Sequence, residues 1–129
     1  MLFPVLIYAI SLVSIPDTAK HPIDNRLDSC LSNSHATMPR AHCYNSAYNA
    51  WEEDIATTEK ALLAKAGEKQ KVKIKANQAA WEKQRDAAFN RIADQYNKMR
   101  GTGYIPVRIK LRMEVLRKRA LQLEKKLQE

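Results

Sequence analysis

Few residues in this chain are placed to do chemistry. The histidines are His21, His35 and His42, and the cysteines are Cys30 and Cys43. His35, His42, Cys30 and Cys43 lie close enough in sequence to raise the question of zinc, but their spacing fits no standard tetrahedral module. Cysteines joined to each other could not ligate it in any case. No metal and no cofactor is expected. Gly101-Thr102-Gly103 reads as a helix stop rather than a phosphate loop, and no serine stands with a histidine and an acid in a nucleophile motif. Asp54, Glu59 and Asp86 read as partners for Arg and Lys rather than as a general acid–base pair. An enzyme is therefore not expected.

The most pointed constellation is Gln78, Trp81 and Arg85. Spacings of three and four put an amide, an indole and a guanidinium on one helical face. A buried arginine needs an anion or several acceptors, and Asp54, or Glu52 beside it, could supply the anion from the preceding helix. The favoured reading is a structural polar network of Gln78, Trp81, Arg85 and Asp54 that fixes helix register around Trp51 and Trp81. The alternative is a face that meets a ligand. On the first reading, Arg85→Ala destabilises the fold.

The elements that would carry these residues are all helical. Pro22 suits a first turn, so a short helix is expected from Pro22 to Leu31, carrying Cys30. Ser32-Asn33-Ser34 breaks it. A second helix runs from about Met38 to Ala66, with Thr37 as N-cap and Pro39 in its first turn. Its stripe is Cys43, Ala47, Trp51, Ile55, Thr58 and Leu62, and Gly67 is placed as the C′ residue. The third helix is expected over Glu68 to Arg100, a run without Gly or Pro. Its stripe is Ile74, Gln78, Trp81, Arg85, Phe89, Ile92, Tyr96 and Met99. The fourth, about Ile105 to Gln128, carries Ile109, Met113, Leu116, Ala120, Leu123 and Leu127. No alternating strand pattern or internal repeat is visible. Long stripes joined by short connections imply antiparallel neighbours. The fold class is all-α: an antiparallel bundle of three long helices plus a short N-terminal helix, preceded by a signal peptide.

The signal peptide is assigned to residues 1–19 and the domain to 20–129. Met1 to Ile15 is uncharged and apolar, short for a bilayer span and suited to a secretory signal. A buried helix or an uncleaved anchor is the alternative. Leu27-Asp28-Ser29-Cys30 superficially resembles a lipoprotein site, but Asp24 and Arg26 separate it from the apolar run. An even cysteine count in a small exported chain suggests a Cys30–Cys43 disulfide, with two reduced thiols on neighbouring helices as the alternative. A periplasmic or secreted location is expected, with no transmembrane span in the mature chain.

The formal charge of the 129 residues is +8. Lysines 65, 69, 71, 73 and 75 gather near one helix junction. Arg108, Lys110, Arg112, Arg117, Lys118, Arg119, Lys125 and Lys126 line the last helix and read as a solvated face. Such a surface is drawn to anionic polymers or lipids; nucleic acid is not expected as a partner.

Gln78-Ala79-Ala80-Trp81-Glu82-Lys83-Gln84-Arg85-Asp86-Ala87 resembles the "AQ-x-x-W-x-x-x-RDA" signature of the lysozyme inhibitor LprI-like family, small secreted helical domains of bacteria. His21-Pro22-Ile23-Asp24 is similar to the start found in part of that family. Trp51-Glu52-Glu53-Asp54-Ile55 resembles its "WD-x-EL" helix, and Gly101-Thr102-Gly103 with Arg117 to Leu123 its "GT…RALQL" block. Ala56, Glu59 and Phe89 stand where many members carry Asn, Tyr and Cys. The resemblance covers about His21 to Leu123 and implies a non-enzymatic binding protein that inhibits lysozyme or a related cell-wall hydrolase. Glycosidase clefts carry two carboxylates, so basic side chains are the candidate contacts. Charge alone nominates Arg40 and His42 beside the cysteine loop, and Lys69, Lys71 and Lys73 at the helix junction. The alternatives are a basic envelope module for anionic polymer or lipid, and a structural helical bundle.

Overall fold

The computed structural model describes residues 20–129, so the expected signal peptide lies outside the described residues. Four helices follow one another: α1 (Pro22–Ser32), α2 (Thr37–Lys65), α3 (Glu68–Tyr96) and α4 (Tyr104–Gln128). There is no strand among the described residues. Among the described residues no helix is long and apolar enough to cross a membrane.

Each start has a local cause. The His21 ring caps α1 by accepting the Ile23 N–H, and Pro22 fills a position where no amide donor is needed. At α2 the cap is Ala36, in extended conformation, so Thr37 is the first helical residue and not the cap expected of it. α2 and α3 are separated only by Ala66 and Gly67. Gly67 follows the C-cap as expected, but its φ is −74°, and it serves as the N-cap of α3. Two extended residues suffice to reverse the chain, so no left-handed cap is needed. The left-handed glycine among the described residues is Gly101, at φ 101°. It lies in the turn that ends α3 earlier than the expected Arg100, the last helical residue being Tyr96.

Successive helices run antiparallel, which leaves α2 and α4 parallel. The contacts fix this direction: Arg117 of α4 lies over Trp51 of α2, and at the C-terminal ends of both helices Lys65 Nζ donates to Leu127 O at 3.0 Å. The core is built on α1, α2 and α4. Ile23, Tyr44, Ala47, Trp51, Ile55, Met113, Leu116, Ala120 and Leu123 form one buried cluster. The expected α2 and α4 stripes supply all but Ile23 and Tyr44 of it. Trp51 and Ala120 are 0% exposed, placing the tightest packing where α2 meets α4. α3 stands outside this core. Its expected stripe faces inward as far as Tyr96, while Met99 lies beyond the helix end and is exposed, and Gln78 is its one buried residue among those described. Trp81 and Phe89 pack on the core while staying partly open.

A disulfide joins Cys30 of α1 to Cys43 of α2, with Cα atoms 5.7 Å apart. α1 is too short to stand alone as a helix in water. The disulfide holds one end to α2. At the other end Arg117 Nη2 and Nε donate to the Asp24 carboxylate at 2.8 and 3.0–3.2 Å, a two-pronged pairing.

Candidate functional site

The candidate residues fall into three places. At the disulfide end, Arg40 is half-buried, and its Nη1 donates to Ser34 O at 3.0 Å and Leu31 O at 3.4 Å. That guanidinium closes the α1–α2 connection. His42, two residues on, is exposed. At the opposite end is the α2–α3 tip. Lys71 pairs with Glu68 at 3.3 Å. Lys69 and Lys73 are exposed and make no ion pair among the described residues. Together with Lys65 they give the tip a basic edge.

The third place is the polar interior. Gln78 is buried, but its partner is Arg119. Arg119 Nε and Nη2 donate to Gln78 Oε1 at 3.2 and 2.8 Å, and Nη2 also donates to Asn77 Oδ1 at 2.8 Å. Its guanidinium carbon lies 5.4 Å from the centre of the Trp81 ring. Arg119 is 6% exposed, which corrects its reading as part of a solvated face. Burial holds its pKa below the ordinary guanidinium value, with the Glu59 charge acting the other way.

Arg85 occupies a different position from the one expected. It stays half-exposed, pairs with the adjacent Asp86 at 3.0 Å and lies 5.4 Å from the centre of the Trp81 ring. Trp81 is thus the element shared by Arg85 and Arg119. Asp54 does not reach α3: α2 turns it toward α1 and α4. There Asp54, His21 and Glu124 bring one ligating atom each within 4.8 Å of one another. His21 Nε2 lies 2.7 Å from Glu124 Oε1. Because His21 Nδ1 accepts the Ile23 N–H at 3.1 Å, the ring proton of a neutral His21 belongs on Nε2, where it donates to Glu124. The same proton occupies the lone pair a metal would need. The cluster therefore shares protons rather than presenting three free ligands. Asp54 Oδ2 is buried without a partner among the described residues. Burial first, and the nearby Glu124 second, push the Asp54 carboxyl up to about 6, while His21 pulls it down. Trp51 lies against this cluster, with its ring 4.5 Å from that of His21 and its indole N–H also unpartnered.

The cluster was beyond sequence reasoning, since His21 and Glu124 are separated by 103 positions. Arg119 had a visible signal: it lies three residues after Leu116 and four before Leu123, on the apolar stripe itself.

No curated protein and no solved structure matches the chain significantly. The profile of the family described as "Lysozyme inhibitor LprI" matches residues 29–123. That span takes in the disulfide, all of α2 and α3, and α4 through Leu123, so the chain belongs to the lysozyme inhibitor LprI family.

Proposed function

We propose that the protein is an exported, non-enzymatic inhibitor of lysozyme or a related cell-wall hydrolase. The family match over residues 29–123 carries this reading. The α2–α3 tip is its contact surface. Two long helices joined by only Ala66 and Gly67 make a short connection, tied to the end of α4 by the Lys65 Nζ–Leu127 O bond, and a rigid surface loses little entropy on meeting a cleft. Lys69 and Lys73 are free to meet the two carboxylates such a cleft carries. Lys71 is already paired with Glu68, and Arg40 is committed to backbone carbonyls, so these two rank lower, and His42 ranks below the tip because it lies at the far end of α2.

Lysozyme turbidity assays on oxidised residues 20–129 test this. Wild type should inhibit saturably, and K69E/K73E should lose at least about tenfold in affinity with an unchanged melting temperature. Full inhibition by the double variant would remove the tip from the interface, and no inhibition by wild type would remove the function.

A second reading, binding of anionic envelope polymer or lipid, is favoured by the formal charge of +8. The sign of the salt effect separates the two. Common lysozymes are basic, so the partners repel at long range, and salt screens that repulsion over a length of roughly 8 Å at physiological strength. Inhibitor association should speed up or hold steady as salt is added. Binding to a polyanion should weaken steeply.

A further inference from the structure

Arg119 is a buried cation with no carboxylate bonded to it among the described residues. Its acceptors are two neutral carboxamides, those of Gln78 and Asn77. They occupy Nε and Nη2. Nη1, which carries two further N–H donors, has no acceptor among the described residues and is not sealed from solvent. Arg119 lines a cavity of about 370 Å³ bounded by α2, α3 and α4. Leu62, Ile74 and Leu123 give the cavity an apolar wall. Lys65 and Lys126 stand at its rim with Glu59 and Glu129. Of these charges, Glu59 acts on Arg119 itself.

A guanidinium desolvated without an anion is costly to the fold. Here burial lowers its pKa, and only the Glu59 charge opposes that. A carboxylate entering the cavity would supply the missing counter-charge at Nη1, a charge-assisted bond in a part-dry site. The apolar wall would take a short hydrocarbon body. The cavity is of the size that small ligands use.

We propose that this cavity is a binding site for a small monocarboxylate, held by Arg119 Nη1 with its apolar portion against Leu62, Ile74 and Leu123. Gln78 and Asn77 act as positioning residues: they hold Nε and Nη2 with the guanidinium over Trp81 and leave Nη1 for the ligand. The site lies behind the α2–α3 tip and does not depend on lysozyme being the partner.

The test is a titration of residues 20–129 with hexanoate at constant ionic strength, with hexanamide as the neutral isostere. Binding is read by the melting temperature and by the Arg119 side-chain N–H resonances. Hexanoate should stabilise the protein saturably and shift those resonances, and hexanamide should do neither. Glu59→Gln removes the charge that competes with the ligand and should tighten hexanoate roughly threefold to tenfold. Arg119→Gln should abolish the effect. Should that variant fail to fold, Glu59→Gln still decides. Equal stabilisation by hexanamide would reduce the cavity to an apolar slot and overturn the proposal. So would the lack of saturation with both wild type and Glu59→Gln up to tens of millimolar.

Discussion

Replacing Asp54 with Asn should make the protein more stable above pH 6. Asp54 lies beside Glu124 and leaves Oδ2 buried and unpartnered. Burial and the Glu124 charge raise its carboxyl from an ordinary 3.8 to about 6. The folded chain therefore keeps the Asp54 proton to a higher pH than the unfolded chain does. Between about pH 4 and pH 6 the folded state binds more protons, so this group's contribution to stability falls as pH rises. Above that window it is constant and unfavourable. At roughly 1.4 kcal/mol per pH unit the ceiling is about 3 kcal/mol. Asp54 is only half-buried, and solvent screening reduces the figure to about 1–2 kcal/mol. The amide of Asn removes the charge and can donate to Glu124. Asp54→Asn should thus raise the melting temperature at pH 7.5 by about 3–8 °C, and the gain should shrink toward zero near pH 4. Thermal melts of both proteins across pH 4–8 measure this. The difference between them cancels the carboxylates that do not interact with Asp54, including Asp24 with Arg117, and keeps the coupling of Asp54 to Glu124 and His21. A less stable Asn variant at pH 7.5, or a gain that does not vary with pH, would refute the account of the cluster.

Arg119→Ala should cost about 2–4 kcal/mol by denaturant unfolding, because it strips both donors from the buried Gln78 Oε1. Arg85→Ala should cost less than about 1 kcal/mol, because its half-exposed pairing with Asp86 is screened; equal losses would mean that the network is wrongly centred on Arg119. Reducing Cys30–Cys43, or replacing both by Ser, should cost about 3 kcal/mol for a bridge spanning 13 residues. Hydrogen exchange should then rise in α1 before α2; uniform loss of protection would show that α1 is not the clipped element. Trp51→Ala should cost about 3–5 kcal/mol, whereas Trp51→Phe should cost far less, since it also removes an unpartnered indole N–H. A Phe variant as damaged as the Ala variant would argue that the indole nitrogen matters to the fold.

Helix number, order and inward faces were legible because the periodicity of the apolar residues is a direct image of burial. Trp51, Ile55, Leu116, Ala120 and Leu123 recur at three and four, and the same residues make the core. The helix ends were less legible. Gly67 and Gly101 look equally suited to a left-handed cap, and only the second adopts it, because the conformation of a connection depends on the angle between the helices it joins. Polar pairing was legible in kind but not in partner. The sequence places Gln78 on a buried face and demands an ion or acceptor for any arginine there, yet two arginines compete for that role. Arg85 has an acid next to it in the chain and can remain at the surface. Arg119 has no acid within one turn of its own helix and sits between Leu116 and Leu123, so packing α4 against α2 carries it inward. The same logic separates Asp54 from α3. It lies three residues after Trp51, on the side of α2 that α1 and α4 cover, and so it meets His21 and Glu124. In both cases the decisive quantity is the register of a charged residue against the apolar stripe. Burial then selects whichever partner the neighbouring helices bring within reach: neutral carboxamides for Arg119, and a second carboxylate for Asp54. A charge left with partners of either kind is imperfectly matched, so the two places where this fold spends stability are also the two where a ligand or a proton can return it.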